Sequence, residues 1–137
     1  MGRRRFRGSR RAQPVLLVVD DLVSSRLLLK MFLEQKAGVR VVEAETSEQA
    51  LRLARRRRFD LVISDIVRPG MDGLTFLRAF KKDHPSVPVM IVSGALSPAL
   101  RQRAYRLGAF ACCMKPIRAN RLLKAVARAL RGPSANG

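Results

Sequence analysis

Carboxylates are scarce in this chain, with ten Asp and Glu against 28 Lys and Arg among 137 residues, for a formal net charge of +18. Any acid at a recurrent position therefore stands out. Cysteine is nearly absent too: Cys112 and Cys113 are adjacent, form no C-x-x-C pair and have no other cysteine to bridge to. That excludes a disulfide framework and points to reduced thiols rather than a metal or redox role. The one histidine, His84 in Asp83-His84-Pro85, stands at a predicted helix end and is read as neither ligand nor relay histidine. Long apolar runs are missing as well. Six arginines by residue 11 precede an apolar segment, Val15 to Val19, that is five residues long and ends in two aspartates. It is too short for a signal peptide and far too short to span a membrane. Aromatic residues make up only 5% of the chain, and no helix-turn-helix or aromatic stacking platform is visible.

What is present is a series of short apolar runs, each closed by a charged residue. Val15 to Val19 leads to Asp20 and Asp21, Leu61 to Ser64 leads to Asp65, and Phe110 to Met114 leads to Lys115-Pro116. Such runs read as buried parallel strands, and ligands of an open α/β sheet bind outside the carboxyl ends of its strands. Strand two is expected at Val39 to Glu43 and strand four at Val87 to Val92. Helical patterns fill the intervals: 23 to 37 with Gly38 as a stop, Thr46 or Ser47 through Arg57, Leu74 to Asp83, Pro98 to Leu107 with Ser97 as cap, and Arg118 to Arg131. Five strands alternating with five helices predict an α/β doubly wound, flavodoxin-like parallel sheet in one domain.

The predicted organisation is a disordered basic arm at 1–13, a folded domain at 14–131 and a flexible tail at 132–137. Arginine supplies 22 of the cations and lysine six. A surface so basic favours acidic partners, whether protein, nucleic acid or anionic lipid.

Three carboxylates at close quarters repel one another, and a hard divalent cation with oxygen ligands resolves the conflict. One carboxylate not consumed by the metal can act as a nucleophile toward phosphorus. Lys115 supplies positive charge for phosphoryl oxygens and Ser93 a hydroxyl donor, with Gly94 leaving room beside it. A flavin phosphate binder would instead need a glycine- or hydroxyl-rich loop after strand one. A D-x-D phosphatase would need its aspartates separated, whereas Asp20 and Asp21 are adjacent.

Taken together, VVDD at 18–21, DLVISDIVRPGMDG at 60–73, VSGA at 92–95 and MKP at 114–116 resemble the receiver domain of two-component response regulators. The resemblance covers about residues 14 to 131. It implies strand order 2-1-3-4-5, Asp65 as phosphoacceptor, Mg²⁺ held by Asp20, Asp21, Asp65 and the Val67 backbone carbonyl, Ser93 as switch hydroxyl, and Lys115 bridging to the phosphoryl group before a cis Pro116. It further implies a cytoplasmic, non-enzymatic signalling protein, chemotaxis-regulator-like, with a histidine kinase or phosphotransfer protein as donor. With no output domain after residue 131, a stand-alone receiver is expected. Its output would be the face of helix four, strand five and helix five, here basic through Arg101, Arg103, Arg106, Arg118, Arg121 and Lys124 and suited to an acidic protein target. The second reading is a receiver-fold module that binds nucleic acid or an acidic partner through its arginines, with phosphorylation secondary. Two positions depart from the family. Cys112 stands where receivers commonly carry Tyr or Phe, so the conformational response to phosphorylation is expected to be muted or to use Tyr105 or Phe110 instead. Arg68 stands where Met usually precedes Pro69, and is read as solvated.

Overall fold

The computed structural model describes residues 13–66 and 72–132. The predicted basic arm before Gln13, the Val67 carbonyl, Arg68 and the tail after Gly132 lie outside the described residues.

The elements alternate as the apolar runs require: β1 Val15–Val19, α1 Val23–Ala37, β2 Arg40–Ala44, α2 Ser47–Arg56, β3 Leu61–Ser64, α3 Gly73–Asp83, β4 Val89–Ser93, α4 Pro98–Arg106, β5 Ala111–Met114 and α5 Ala119–Arg131. All strand pairs are parallel, in the order β2-β1-β3-β4-β5, so every helix returns the chain from the carboxyl edge of the sheet to its amino edge. This is the predicted doubly wound architecture.

Burial on both faces explains why β1, β3 and β4 are almost wholly apolar. Alternate residues feed two cores. Leu17, Val19, Val62 and Ile91 join Phe76, Leu77 and Phe80 under α2, α3 and α4, while Leu16, Val18, Ile63 and Met90 join Leu33, Leu122 and Val126 under α1 and α5. Each fully buried side chain of this size contributes about 1.5–3 kcal/mol, so the sheet's position is set mainly by these two layers.

Caps set the helix limits. Thr46, not Ser47, caps α2: its side chain accepts from the Gln49 N–H at 3.1 Å, and the Gln49 side chain accepts from the Glu45 N–H at 2.8 Å. Ser97 caps α4 in the same way, with Pro98 opening the helix. Gly38 closes α1 at φ 66, a left-handed conformation that favours glycine. The predicted limits shift by a residue or two where backbone bonding decides. Arg57 leaves α2 in an extended conformation, and Val87 bonds back to His84 in a turn before Pro88, which has no N–H, delays β4 to Val89. In α5 the buried residues are Leu122, Ala125, Val126 and Ala129, with Leu130 half-buried at the margin.

Candidate functional site

The carboxyl edge of the sheet places three side chains by extending its hydrogen bonding one residue past each strand. Asp20 N–H donates to Ala44 O at 3.1 Å, Asp65 N–H to Val19 O at 3.2 Å, and Lys115 N–H to Ser93 O at 2.9 Å. Lys115 and Asp20 are 95 residues apart in sequence, yet the Lys115 ammonium lies 3.2 Å from Asp20 Oδ2 and 3.0 Å from Asp65 Oδ2. Asp20 is 6% exposed. A buried carboxylate is costly unless paired and hydrogen-bonded. Here Asp20 is both, since its Oδ1 also accepts from the Leu22 N–H at 3.0 Å. Partial burial by itself would lower the Lys115 pKa, but the hydrogen bonds and charges of Asp65 and Asp20 more than offset that and hold the ammonium above its ordinary value.

The four charged residues singled out in sequence are therefore not brought into one contact. Asp20, Asp65 and Lys115 form a triad, while Asp21 stands half-exposed beside it without an ion pair to Lys115. Among the described residues no group of three His, Cys, Asp or Glu side chains is gathered in one cluster, and the two inner carboxylates share the Lys115 ammonium. Ser93 is 1% exposed at the end of β4, and its hydroxyl oxygen accepts from the Ala95 N–H at 3.1 Å rather than meeting the triad. The Lys115–Pro116 peptide is cis, as expected. Asp72 is a cap and not a ligand of the triad: its carboxylate accepts from the Thr75 N–H at 2.9 Å at the start of α3.

Two supporting residues escaped the sequence reading. A Cβ on Gly73 would lie 2.4 Å from Ile66 Cα and 2.5 Å from Asp65 O, so α3 can start this close behind Asp65 only with glycine there. Nothing local in the sequence signalled the approach to Asp65. Arg26 donates from Nη1 to Asp20 O at 2.7 Å and pairs through Nε with Glu43 at 2.9 Å, tying β1 to β2 behind the triad. No motif marks it.

An apolar cleft of about 610 Å³ between α1 and α5 opens onto the triad, walled by Leu28, Leu29, Phe32, Pro116, Ile117 and Leu122. Beside it Leu22, Val23, Leu27, Leu28 and Met31 are exposed.

Residues 16–127 match the family described as response regulator receiver domain. The chain belongs to that family. It is 31% identical over 115 residues to chemotaxis protein CheY of Bacillus subtilis, covering 84% of this chain and 96% of that one. It is 36% identical over 115 residues to transcriptional regulatory protein ZraR of Klebsiella oxytoca, of which it spans 26%, so it covers about a quarter of the length of such relatives. Among solved structures, Vibrio cholerae chemotaxis protein CheY4 superposes with a TM-score of 0.81 at 33% identity, covering 87% of this chain and all (100%) of that one. The receiver domain of NtrX from Brucella abortus gives 0.80 at 36% identity, covering 85% of this chain and 98% of that one. The receiver is a signalling module of two-component systems, and phosphorylation on aspartate with Mg²⁺ is typical of its family. No helix among the described residues of this receiver is long and apolar enough to cross a membrane.

Proposed function

We propose that residues 14–131 act as a phosphoacceptor receiver in which Asp65 takes the phosphoryl group. The observation that carries this reading is the single ammonium of Lys115 shared by Asp65 and Asp20 at the carboxyl edge of the sheet. A carboxylate oxygen of Asp65 attacks the phosphorus of the donor, a P–O bond forms, and the bond to the leaving group breaks with its electron pair departing on the donor. Lys115 is positioned to offset the charge of the phosphoryl oxygens, and Ser93, one strand over, has a hydroxyl to donate to them.

The donor set fits a hard divalent ion: two carboxylate oxygens already converge on one cation, both are oxygen ligands, and Asp21 is adjacent in sequence. Asp20, Asp21, Asp65 and the Val67 carbonyl would hold Mg²⁺, which when bound supplies the charge that brings an anionic donor to an acidic site.

A histidine kinase or phosphotransfer protein is the proposed donor. The exposed apolar residues of α1 beside the cleft support a protein rather than a small molecule as the natural donor, because contiguous apolar surface marks docking sites. The output face is α4, β5 and α5, and the exposed Arg118, Arg121 and Lys124 of its α5 side suit an acidic protein target. With such a donor and reduced thiols the compartment is the cytoplasm. Incubation with Mg²⁺ and a small phosphodonor, read by intact mass, tests the site. Wild type gains one phosphoryl group and Asp65→Asn gains none. Equal uptake by both proteins would place the acceptor elsewhere.

A further inference from the structure

Cations are concentrated at one end of the sheet in this molecule. Because every helix runs back from the carboxyl edge to the amino edge, the last turns of all five helices share the amino edge, the pole opposite Asp65. Every one of those last turns is basic, and four of them carry two cations each. Arg55, Arg56, Lys82, Arg103, Arg106 and Arg131 are all exposed there, and among the described residues none forms an ion pair. Most of the carboxylates lie at the other pole, with Asp20, Asp21, Glu43, Glu45 and Asp65 near strand ends and Asp72 capping α3, while Glu34, Asp60 and Asp83 lie toward the basic one. Lys81 donates to Pro85 O and Val87 O and Arg128 stacks on the Phe110 ring, which leaves both cations of α2 and of α4 and one each of α3 and α5 without such a structural role. The described chain enters the fold at this pole, where the Gln13 side chain donates to Gly38 O at 3.1 Å.

We infer that this amino-edge pole is a binding surface for the phosphodiester backbone of nucleic acid. Arginine, which dominates here, presents a planar fork that meets phosphate oxygens in pairs. Among the described residues Tyr105 is the exposed large apolar side chain at this pole, whereas protein interfaces rely on clusters of buried aromatic or aliphatic anchors and membrane surfaces on inserted ones. A polyanion needs neither. The recognition is of backbone charge, without base readout, and it lies a full sheet length from Asp65, so it operates whether or not Asp65 carries a phosphoryl group.

Anisotropy of a labelled DNA duplex and a single-stranded RNA, titrated with the full chain at physiological ionic strength, tests the surface and separates the two polymers. The expected result is binding whose log–log salt slope is about −4 or steeper. The triple variant Arg56→Glu, Arg103→Glu, Arg106→Glu should lose at least about tenfold in affinity. The equally charged control Arg118→Glu, Arg121→Glu, Lys124→Glu, toward the other pole, should lose under about threefold. A glutamine version of the edge variant, with circular dichroism of each protein, covers the case in which charge reversal impairs folding. Equal loss in both triple variants would show attraction by net charge alone and overturn the surface. So would the absence of binding to either polymer, or preferential binding to phosphatidylserine vesicles. None of these readouts uses Asp65, so they stand or fall apart from phosphorylation.

Discussion

At residue 73 the absence of a side chain is what lets α3 begin directly behind Asp65. Its N–H donates to Ile66 O at 2.7 Å, and an added methyl would have to displace backbone, not a flexible side-chain end. Gly73→Ala should therefore destabilise the fold by about 2 kcal/mol or more, visible as a lower urea midpoint. A wild-type midpoint would mean the backbone after Asp65 yields freely. The thiols make a second residue-level prediction. Burial raises the pKa of Cys112 and of Cys113, and nearby Arg101 only partly offsets this. Their thiolate fraction in the folded protein is thus below that of a free cysteine at every pH near neutrality. Unfolded thiols lose protons from about pH 8.5, before the folded ones do, so stability declines as pH rises beyond that point. Iodoacetamide should modify native protein far more slowly than urea-unfolded protein at neutral pH, with the native rate climbing only at higher pH. Equal rates would contradict the buried assignment. Of this scale, Asp20, Asp65 and Lys115 were legible because each closes an apolar run. Gly73 and Arg26 were not, because their importance lies in contacts that no local spacing encodes.

At the scale of elements, β5 is an edge strand, and α4 closes that edge with side chains. The Tyr105 hydroxyl accepts from the Cys112 N–H at 3.1 Å, and Arg101 Nη1 donates to Cys112 O at 3.0 Å. One residue of the strand thus has both outward backbone groups satisfied by one helix, at the position where the family commonly places an aromatic side chain. The helix and strand cannot part without breaking both bonds. Phe110 is held differently, with Arg128 stacked 5.3 Å from its ring on the α5 side. Tyr105→Phe removes the acceptor for Cys112 N–H and should cost about 1 kcal/mol, with faster amide exchange at Cys112. Unchanged exchange there would show that the hydroxyl does not hold the strand. Element order and type were legible from apolar runs and glycine stops. Limits such as Thr46 for α2 and Val89 for β4 depended on which backbone groups found partners, which periodicity does not report.

The whole molecule places chemistry and charge at opposite poles. The acidic pole carries Asp20, Asp65 and Lys115, and the basic pole collects the helix ends. Composition revealed the excess of cations, but only the shared direction of five helices shows that they gather at one edge. Strand order was legible because the motifs resembled a known family, and the pairing of β1 with both β2 and β3 bears it out. The convergence of three aspartates was only partly legible. Sequence placed Asp20 and Asp21 together, but the turn after β1 sends Asp20 inward to Lys115 and leaves Asp21 half-exposed. Central to the account is that Asp65, and neither neighbour, accepts the phosphoryl group. Borohydride reduction of protein treated with Mg²⁺ and phosphodonor, followed by peptide sequencing in the mass spectrometer, locates the acyl phosphate directly. Homoserine is expected at position 65 alone, and homoserine at position 20 or 21 with Asp65 intact would place the acceptor elsewhere.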